Sequence, residues 1–473
     1  MTLKGVDVRA IPPERLAPLI GPERAERFAA IAAKARALLN GRIVLNVNST
    51  ANGGGVAELL QTLLAYARGA GIDARWSVIQ GNPRFFEITK RIHNHLYGYP
   101  GDGGPLGDAE RRDYEATVRD NLDRLGPFVD RDDIVVLHDP QTAALAPTLA
   151  QQGVTVVWRC HVGIDVPNEY SDLAWSFLEP YVEPVAGYVF SLEAFAPGFV
   201  PRDRLTVIPP SIDPFSAKNE AIAPADVVRV LQHVGLLSGD VEAPDFVFTR
   251  RDGSPGRVEG SVDLLGTGPP PPPNVPIVLQ VSRWDLMKDM RGVLEGFAEH
   301  TDDMHDAHLV LCGPDVRGVT DDPEGQQVLD DCVAAWTALP AAARARVHLG
   351  CVPMVDSDVA AIICNALQRH ASIVVQKSLA EGFGLTVAEA MWKSKPVVGS
   401  AVGGIVDQIV SGETGYLLDD ALDLDAFASV LATLLDDPAQ AAHMGDLGRR
   451  RATEQFIGDR HLEQWAAVFE RLA

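Results

Sequence analysis

The sequence has little cysteine, and none of it in a pairing frame. Cys160, Cys312, Cys332, Cys351 and Cys364 make five, an odd number with no C-x-x-C spacing. Neither a disulfide framework nor a zinc site is expected, and a reducing compartment fits. Long apolar runs are missing too: none approaches the roughly 18 residues of a membrane span. The start, Met1-Thr2-Leu3-Lys4-Gly5, carries no apolar signal core. Positive charge is in deficit, with 41 Lys plus Arg against 64 Asp plus Glu and a net charge of −23. That balance argues against a counterion-displacing face for nucleic acid and against docking on anionic lipid. The expectation is a cytoplasmic protein with no nucleic-acid or membrane partner. Neither a G-x-S-x-G elbow nor an H-E-x-x-H zinc motif occurs.

What the chain does have is core-forming material. Its 473 residues are 46% apolar, enough for two or three domains. Short apolar runs alternate with helical patterns: Arg42–Asn48, Ile72–Ile79, Ile134–Leu137, Val154–Trp158, Tyr188–Phe190 and Leu205–Ile208. Such alternation predicts parallel strands covered by helices on both faces. The composition breaks around Pro209–Ala225, and Pro269–Pro273 is a five-proline run that predicts a stiff, extended linker or insert. A second series then runs through Pro276–Val281, His308–Leu311, Val347–Leu349, Ser372–Val375 and Pro396–Gly399, followed by helices from Asp423 to Arg451. The fold class is therefore α/β, with two doubly wound sheets. The domains are placed at residues 1–215 and 216–455.

Four segments could carry chemistry. The turn Ser49–Gly55 contains Gly53, Gly54 and Gly55 and lies between a strand and a helix, where free N–H groups suit a diphosphate. Arg283 and Lys288 follow the strand Ile277–Ser282, at the end of a parallel strand where ligands bind. Arg offers a fork to phosphate oxygens and Lys a point charge. In the third, Glu381-Gly382-Phe383-Gly384-Leu385 opens a helix that carries Glu389. A glycosidase pair needs its carboxylates about 5–9 Å apart. Eight residues of helix rise about 12 Å, so Glu381 and Glu389 suit two different hydroxyl-bearing parts of one ligand. The fourth, Trp158-Arg159-Cys160-His161, ends a strand next to His138-Asp139-Pro140-Gln141, and His161 can meet a sugar hydroxyl or move a proton. In Pro83–Asn94 the phenylalanines are expected in the core, with Lys90, His93 and Asn94 facing a ligand. The Asp130–Asp133 and Asp302-Asp303 clusters lack a coordinating frame, and no protein metal site is expected.

Arg283 with Lys288, followed by Glu381 and Glu389 as E-x7-E, resembles the retaining GT-B glycosyltransferases of the glycogen synthase and sucrose synthase kind. Within that group, Gly53–Glu58, Phe85–Lys90 with His93-Asn94, His138–Gln141, Trp158–His161 and Ile208–Asp213 look like the trehalose glycosyltransferring synthases. The resemblance implies two Rossmann-like domains facing a cleft, with acceptor on the first, nucleotide sugar on the second, and residues 456–473 packed back on the first. It assigns catalytic roles to His161, Arg283, Lys288 and Glu381. Donor contacts fall to Gly54, Gly55, Gly382, Phe383, Gly384, Leu385 and Glu389, and acceptor contacts to Lys90, Asn94, Asp139 and Gln141. It implies transfer from a nucleoside-diphosphate glucose (UDP-glucose or ADP-glucose) to free glucose, making or reversibly cleaving α,α-trehalose. The nucleotide sugar is a co-substrate, no cofactor is tightly bound, Mg2+ acts only as a stimulant, and a homodimer is expected.

Four rivals follow from the same residues. A trehalose phosphorylase, or a retaining GT-B enzyme with another acceptor, shares most of these motifs. A nucleotide-sugar epimerase does not need the E-x7-E arrangement. A silent nucleotide-sugar-binding regulator would bind donor without turnover.

Overall fold

The computed structural model describes residues 4–51, 55–125, 129–239, 241, 245–266, 268–317 and 323–472. The chain divides into two compact units: Met1–Ser211 with Phe456–Ala473, and Ile212–Gln455.

Unit 1 is built on a seven-stranded sheet. Its strands are β1 (Lys4–Gly5), β2 (Val44–Asn48), β3 (Ala74–Val78), β4 (Ile134–His138), β5 (Thr155–Cys160), β6 (Gly187–Phe190) and β7 (Leu205–Val207). The order is β1-β3-β2-β4-β5-β6-β7, with β1 antiparallel at the edge and the rest parallel. The strand order reverses between β2 and β4, and in such sheets ligands bind beyond the carboxyl ends at that point. Both strands are buried throughout, β4 through its apolar run and β2 with Asn46 and Asn48 buried among its apolar residues.

The helix Pro83–Leu96 shows how sequence sets this unit. Asn82 caps it, its side chain accepting from Phe85 N at 2.8 Å, and Pro83 occupies the first turn. Phe85, Ile88, Ile92 and Leu96 recur at helical spacing and are fully buried. Phe85 stacks on Tyr114 at 5.6 Å. The expectation that both phenylalanines are core fails for Phe86, which is 39% exposed. One residue on turns a side chain by about 100°, off the apolar stripe. The final helix, Gly458–Leu472, packs on the helices Pro22–Leu38 and Gly55–Gly69. Arg24 pairs with the buried Asp459 there.

Unit 2 has a sheet of the same size. Its strands are β10 (Asp263–Leu265), β11 (Ile277–Val281), β12 (His308–Pro314), β13 (Val347–Val352), β14 (Ile373–Gln376), β15 (Val397–Ser400) and β16 (Tyr416–Leu418), ordered β10-β13-β12-β11-β14-β15-β16. Only β10 is antiparallel. Here the order reverses between β11 and β14. A hairpin of β8 (Val247–Thr249) and β9 (Pro255–Arg257) stands apart. The five-proline run lies inside this unit, between β10 and β11, with Pro271 O accepting from Ser238 N at 2.9 Å. It is thus an insert and not a link between units.

Asp133 accepts from the backbone N–H groups of Ile43 and Asp130 at 2.7 and 2.8 Å, closing the entry to β4. Among the described residues, no helix is long and apolar enough to cross a membrane.

Candidate active site

In unit 2 the site is assembled at the strand-order reversal. After β11 the chain turns through Ser282–Asp285 into a single helical turn, Leu286–Lys288, capped by Asp285. Asp285 also accepts from the Arg283 guanidinium at 2.9 Å, and that guanidinium stays half exposed. After β14, Lys377 is fully buried and pairs with Asp289, while its ammonium also donates to Ala421 O at 2.6 Å. A backbone bond from Leu379 N to Met287 O, 2.8 Å, ties the two loops together.

These turns place Lys288 Nζ 2.5 Å from Glu381 Oε2, with both side chains largely buried. The same oxygen receives Ser378 Oγ at 3.2 Å and Gln376 Nε2 at 3.4 Å. Gln376 is in turn oriented by Thr386 Oγ1, which donates to its Oε1 at 2.7 Å. A buried carboxylate needs such partners, because desolvation disfavours its charge. Sequence reasoning missed Gln376 and Ser378; the polar run Gln376-Lys377-Ser378 at a carboxyl strand end was the available signal.

Gly382, Phe383 and Gly384 are buried and lead into the helix Leu385–Trp392. Gly384 has φ 81°, a conformation that favours glycine. The first turn of a helix leaves N–H groups without internal partners, which suits an anion. A second turn, Gly403-Gly404, backs this loop. A Cβ on Gly403 would lie 1.7 Å from Glu381 O, and one on Gly404 would lie 2.7 Å from Phe383 Cα. Gln408 Nε2 donates to Phe383 O at 2.5 Å and Gly404 O at 3.1 Å. Glu389 is buried one helical turn further on, with Lys218 Nζ 3.7 Å from its carboxylate. Glu381 and Glu389 therefore stand on a loop and a helix, as their spacing suggested.

In unit 1, Gly54 lies outside the described residues, and Gly55 opens the helix Gly55–Gly69 beyond β2. His138 ends β4 and His161 follows β5. Their rings stack at 5.4 Å, with His138 Nδ1 3.1 Å from His161 Nε2. The far nitrogen of His138 meets Asn46 Oδ1, on β2, at 3.0 Å. Burial pushes His138 down to about 3 and holds His161 well below the ordinary histidine range, so both rings are neutral at pH 7. Asp139, at φ 61°, accepts from His161 N at 2.8 Å. Burial pushes Asp139 up to about 7, against the pull of that N–H and of Arg159.

Gln141 is half-buried in the short helix Asp139–Thr142, against which the helix Pro83–Leu96 packs. On that longer helix Lys90 is exposed and Asn94 half-buried. Asn46 was not among the expected site residues, and His138 entered only as part of the segment His138–Gln141, with no role of its own. The signal for Asn46 was polar alternation, Asn46 and Asn48, inside an otherwise apolar strand.

Comparison with known proteins places this architecture. Residues 46–197 match the family described as trehalose synthase, N-terminal domain, and residues 268–451 match glycosyl transferases group 1. Trehalose synthase of Pyrococcus horikoshii is 34% identical over 458 residues, covering 96% of this chain and 95% of that relative. The chain belongs to the trehalose synthase family. It is a glycosyltransferase, and its two Rossmann-like units are those of the GT-B fold. Sucrose-phosphate synthase from Thermosynechococcus elongatus shares that fold at TM-score 0.63 and 17% identity, with 91% of this chain and 99% of that chain covered. Trehalose phosphorylase of Pleurotus pulmonarius is 24% identical over 86% of this chain, but over only 54% of its own length.

Proposed function

We propose that this member of the family transfers glucose, with retention, from a nucleoside-diphosphate glucose to free glucose, forming α,α-trehalose and able to cleave it in reverse. The observation that carries the reading is the Lys288–Glu381 pair at the strand-order reversal of unit 2, beside the Gly382–Gly384 loop. A cation, a carboxylate and a helix start at one place suit a phosphorylated sugar.

Arg283 and Lys288 then hold the diphosphate and stabilise the charge that develops on it, the type of contribution that is usually the largest in such reactions. Glu381 takes hydroxyls of the transferred glucose, and Glu389 takes the ribose. The amides from Gly382 to Leu385 assist at the phosphates. His161 contacts the donor sugar, and Gly54 and Gly55 approach the diphosphate. Lys90, Asn94, Asp139 and Gln141 bind the acceptor. The bond from the sugar C1 to the phosphate oxygen breaks as the bond to the acceptor oxygen forms. The acceptor proton goes to the departing phosphate oxygen, so no protein base is assigned. The reading assigns no residue to a metal, and Mg2+ acts only as a stimulant.

A phosphorylase is the second reading, and identity favours it less: trehalose phosphorylase of Pleurotus pulmonarius is 24% identical, against 34% for the Pyrococcus horikoshii synthase. The test is a product assay with UDP-, ADP- and GDP-glucose, each with and without free glucose, analysed before and after trehalase. A trehalase-sensitive disaccharide that needs free glucose is expected. Its absence with every donor, together with glucose 1-phosphate from trehalose plus phosphate, would make the chain a phosphorylase.

A further inference from the structure

The turn that opens unit 2 is locked to the end of the helix carrying Glu389. Asn219 is the hub. Its carbonyl accepts from Trp392 Nε1 at 3.1 Å and Arg369 at 3.0 Å, and its amide donates to Asp213 O at 3.0 Å. Its Oδ1 accepts from Lys393 Nζ at 2.8 Å. Lys393 is 5% exposed and also donates to Gln368 Oε1 at 2.8 Å and Glu389 O at 3.1 Å. One residue before Asn219, Lys218 reaches the Glu389 carboxylate at 3.7 Å.

An ammonium has three N–H donors, and here three acceptors from three segments meet it. A neutral amine would leave one of them without a donor. Burial nevertheless pushes Lys393 down to about 7, with Glu389 opposing the shift and Arg369 and Lys218 adding to it. The ammonium thus ties a turn to a helix end next to a carboxylate assigned to substrate, and an apolar side chain in its place would leave Asn219 Oδ1 and Gln368 Oε1 without this donor and the turn without this tie.

We propose that Lys393 is a positioning residue of the donor site: through Asn219 it holds Lys218 against the Glu389 carboxylate, and so fixes that carboxylate for the nucleotide end of the donor. The inference rests on reading Glu389 as a donor contact. The turn is otherwise a loop with a long, partly exposed lysine, whose rotamer freedom works against a defined ion pair. Anchoring its neighbour removes much of that freedom before substrate arrives.

The test measures binding of UDP, ADP and GDP by calorimetry to the full chain and to Lys218→Met, Lys393→Met, Lys393→Arg, Asn219→Ala, Glu389→Gln and the Lys218→Met/Lys393→Met double variant. Asn219→Ala cuts the same link from its other end and decides the matter if Lys393→Met does not fold. For the nucleotide bound best, Kd should rise about tenfold in Lys218→Met, Lys393→Met and Asn219→Ala, and the double variant should be no weaker than the worse single one. Lys393→Arg should recover part of the loss, and the KM for free glucose should not move. A purely structural lysine would lower thermal stability without this coupling to Lys218. Wild-type affinity in folded Lys393→Met or Asn219→Ala, or full additivity in the double variant, overturns the proposal. If Glu389→Gln weakens binding and those variants do not, the positioning role alone falls. If Glu389→Gln also binds as wild type, the donor reading of Glu389 falls and takes the inference with it.

Discussion

Lys288 Nζ and Glu381 Oε2 stand 2.5 Å apart, and the two residues arrive from β11 and β14, the strands between which the order of unit 2 reverses. Each solves the other's desolvation. Glu381→Gln keeps the shape and the acceptor but removes the charge, so kcat/KM should fall by about 10²–10³. Lys288→Met leaves a buried carboxylate without its cation and should cost about 3–5 kcal/mol of unit 2 stability as well as activity. Steady-state rates with urea melts check both. Wild-type stability in Lys288→Met would show that the pair is not coupled in the folded state.

The contacts of His138 fix the proton of His161. If Asn46 Oδ1 accepts, His138 Nε2 carries the hydrogen and its Nδ1 holds a lone pair. That lone pair then takes the proton on His161 Nε2, 3.1 Å away, leaving His161 Nδ1 as an acceptor. His161 in this state can receive a sugar hydroxyl but not donate to it. His138→Phe keeps a ring and removes the acceptor, so kcat/KM should fall by about 10–100-fold, on the scale of a misplaced site residue. The ring-nitrogen shifts of 15N-labelled His161 read the tautomer directly. A wild-type tautomer in His138→Phe would dismiss the relay.

Asp139 should make stability fall with pH. Its folded pKa is raised from the model-peptide value of 3.8 to about 7, so between these values the folded chain holds a proton that the unfolded chain has lost. Destabilisation grows across that window and is complete above it. At about 1.36 kcal/mol per unit, the ceiling is roughly 4 kcal/mol. Asn in its place tolerates φ 61° and still accepts from His161 N, without the charge. Asp139→Asn should therefore gain stability relative to wild type as pH rises from 4 to 8, by 1–4 kcal/mol or so. His138 works in the opposite sense: lowered to about 3, it favours the fold as pH rises through the acid range. Taking the difference between variant and wild type isolates Asp139. A difference that does not change with pH would contradict its buried ionisation.

Much of this architecture was legible because parallel strands buried on both faces leave continuous apolar runs. Thus β2, β4, β11, β12, β14 and β15 fell where those runs lie, and the loop that bears Glu381 followed from the glycines at its strand end. The short edge strands β1 and β8 to β10, two or three residues each, leave no period to detect. Phe86 was misplaced because residue type outweighed helical phase. The partners of the site were harder for another reason. Asn46 lies 92 residues from His138, Gln376 94 from Ser282, and Lys393 174 from Asn219. Nothing local in the chain announces a contact of that span; sheet order creates the first two, and the packing of a turn on a helix end the third.

Gly403 illustrates such a contact, and it can be tested with one methyl group. Its φ of 50° is in the left-handed region, and a Cβ there would stand 1.7 Å from the carbonyl oxygen of Glu381. That oxygen is backbone, so it cannot swing aside as a side-chain tip could. Gly403→Ala must move either its own turn or the Glu381 loop. The loop is held by Gln408 at Phe383 O and by Gly404 N at Gly382 O, 3.2 Å, both beside the same turn. Movement should therefore reach the carboxylate paired with Lys288. We expect kcat/KM to fall by about 10²-fold, the scale of a 1 Å misplacement, with about 1–3 kcal/mol lost in stability. Gly412→Ala is the control: its φ is also positive, but its Cβ would meet nothing within 4 Å. It should pay only the conformational cost of a left-handed alanine and retain full activity. Equal activity losses in the two variants would show that backbone strain, and not the approach to Glu381, is responsible.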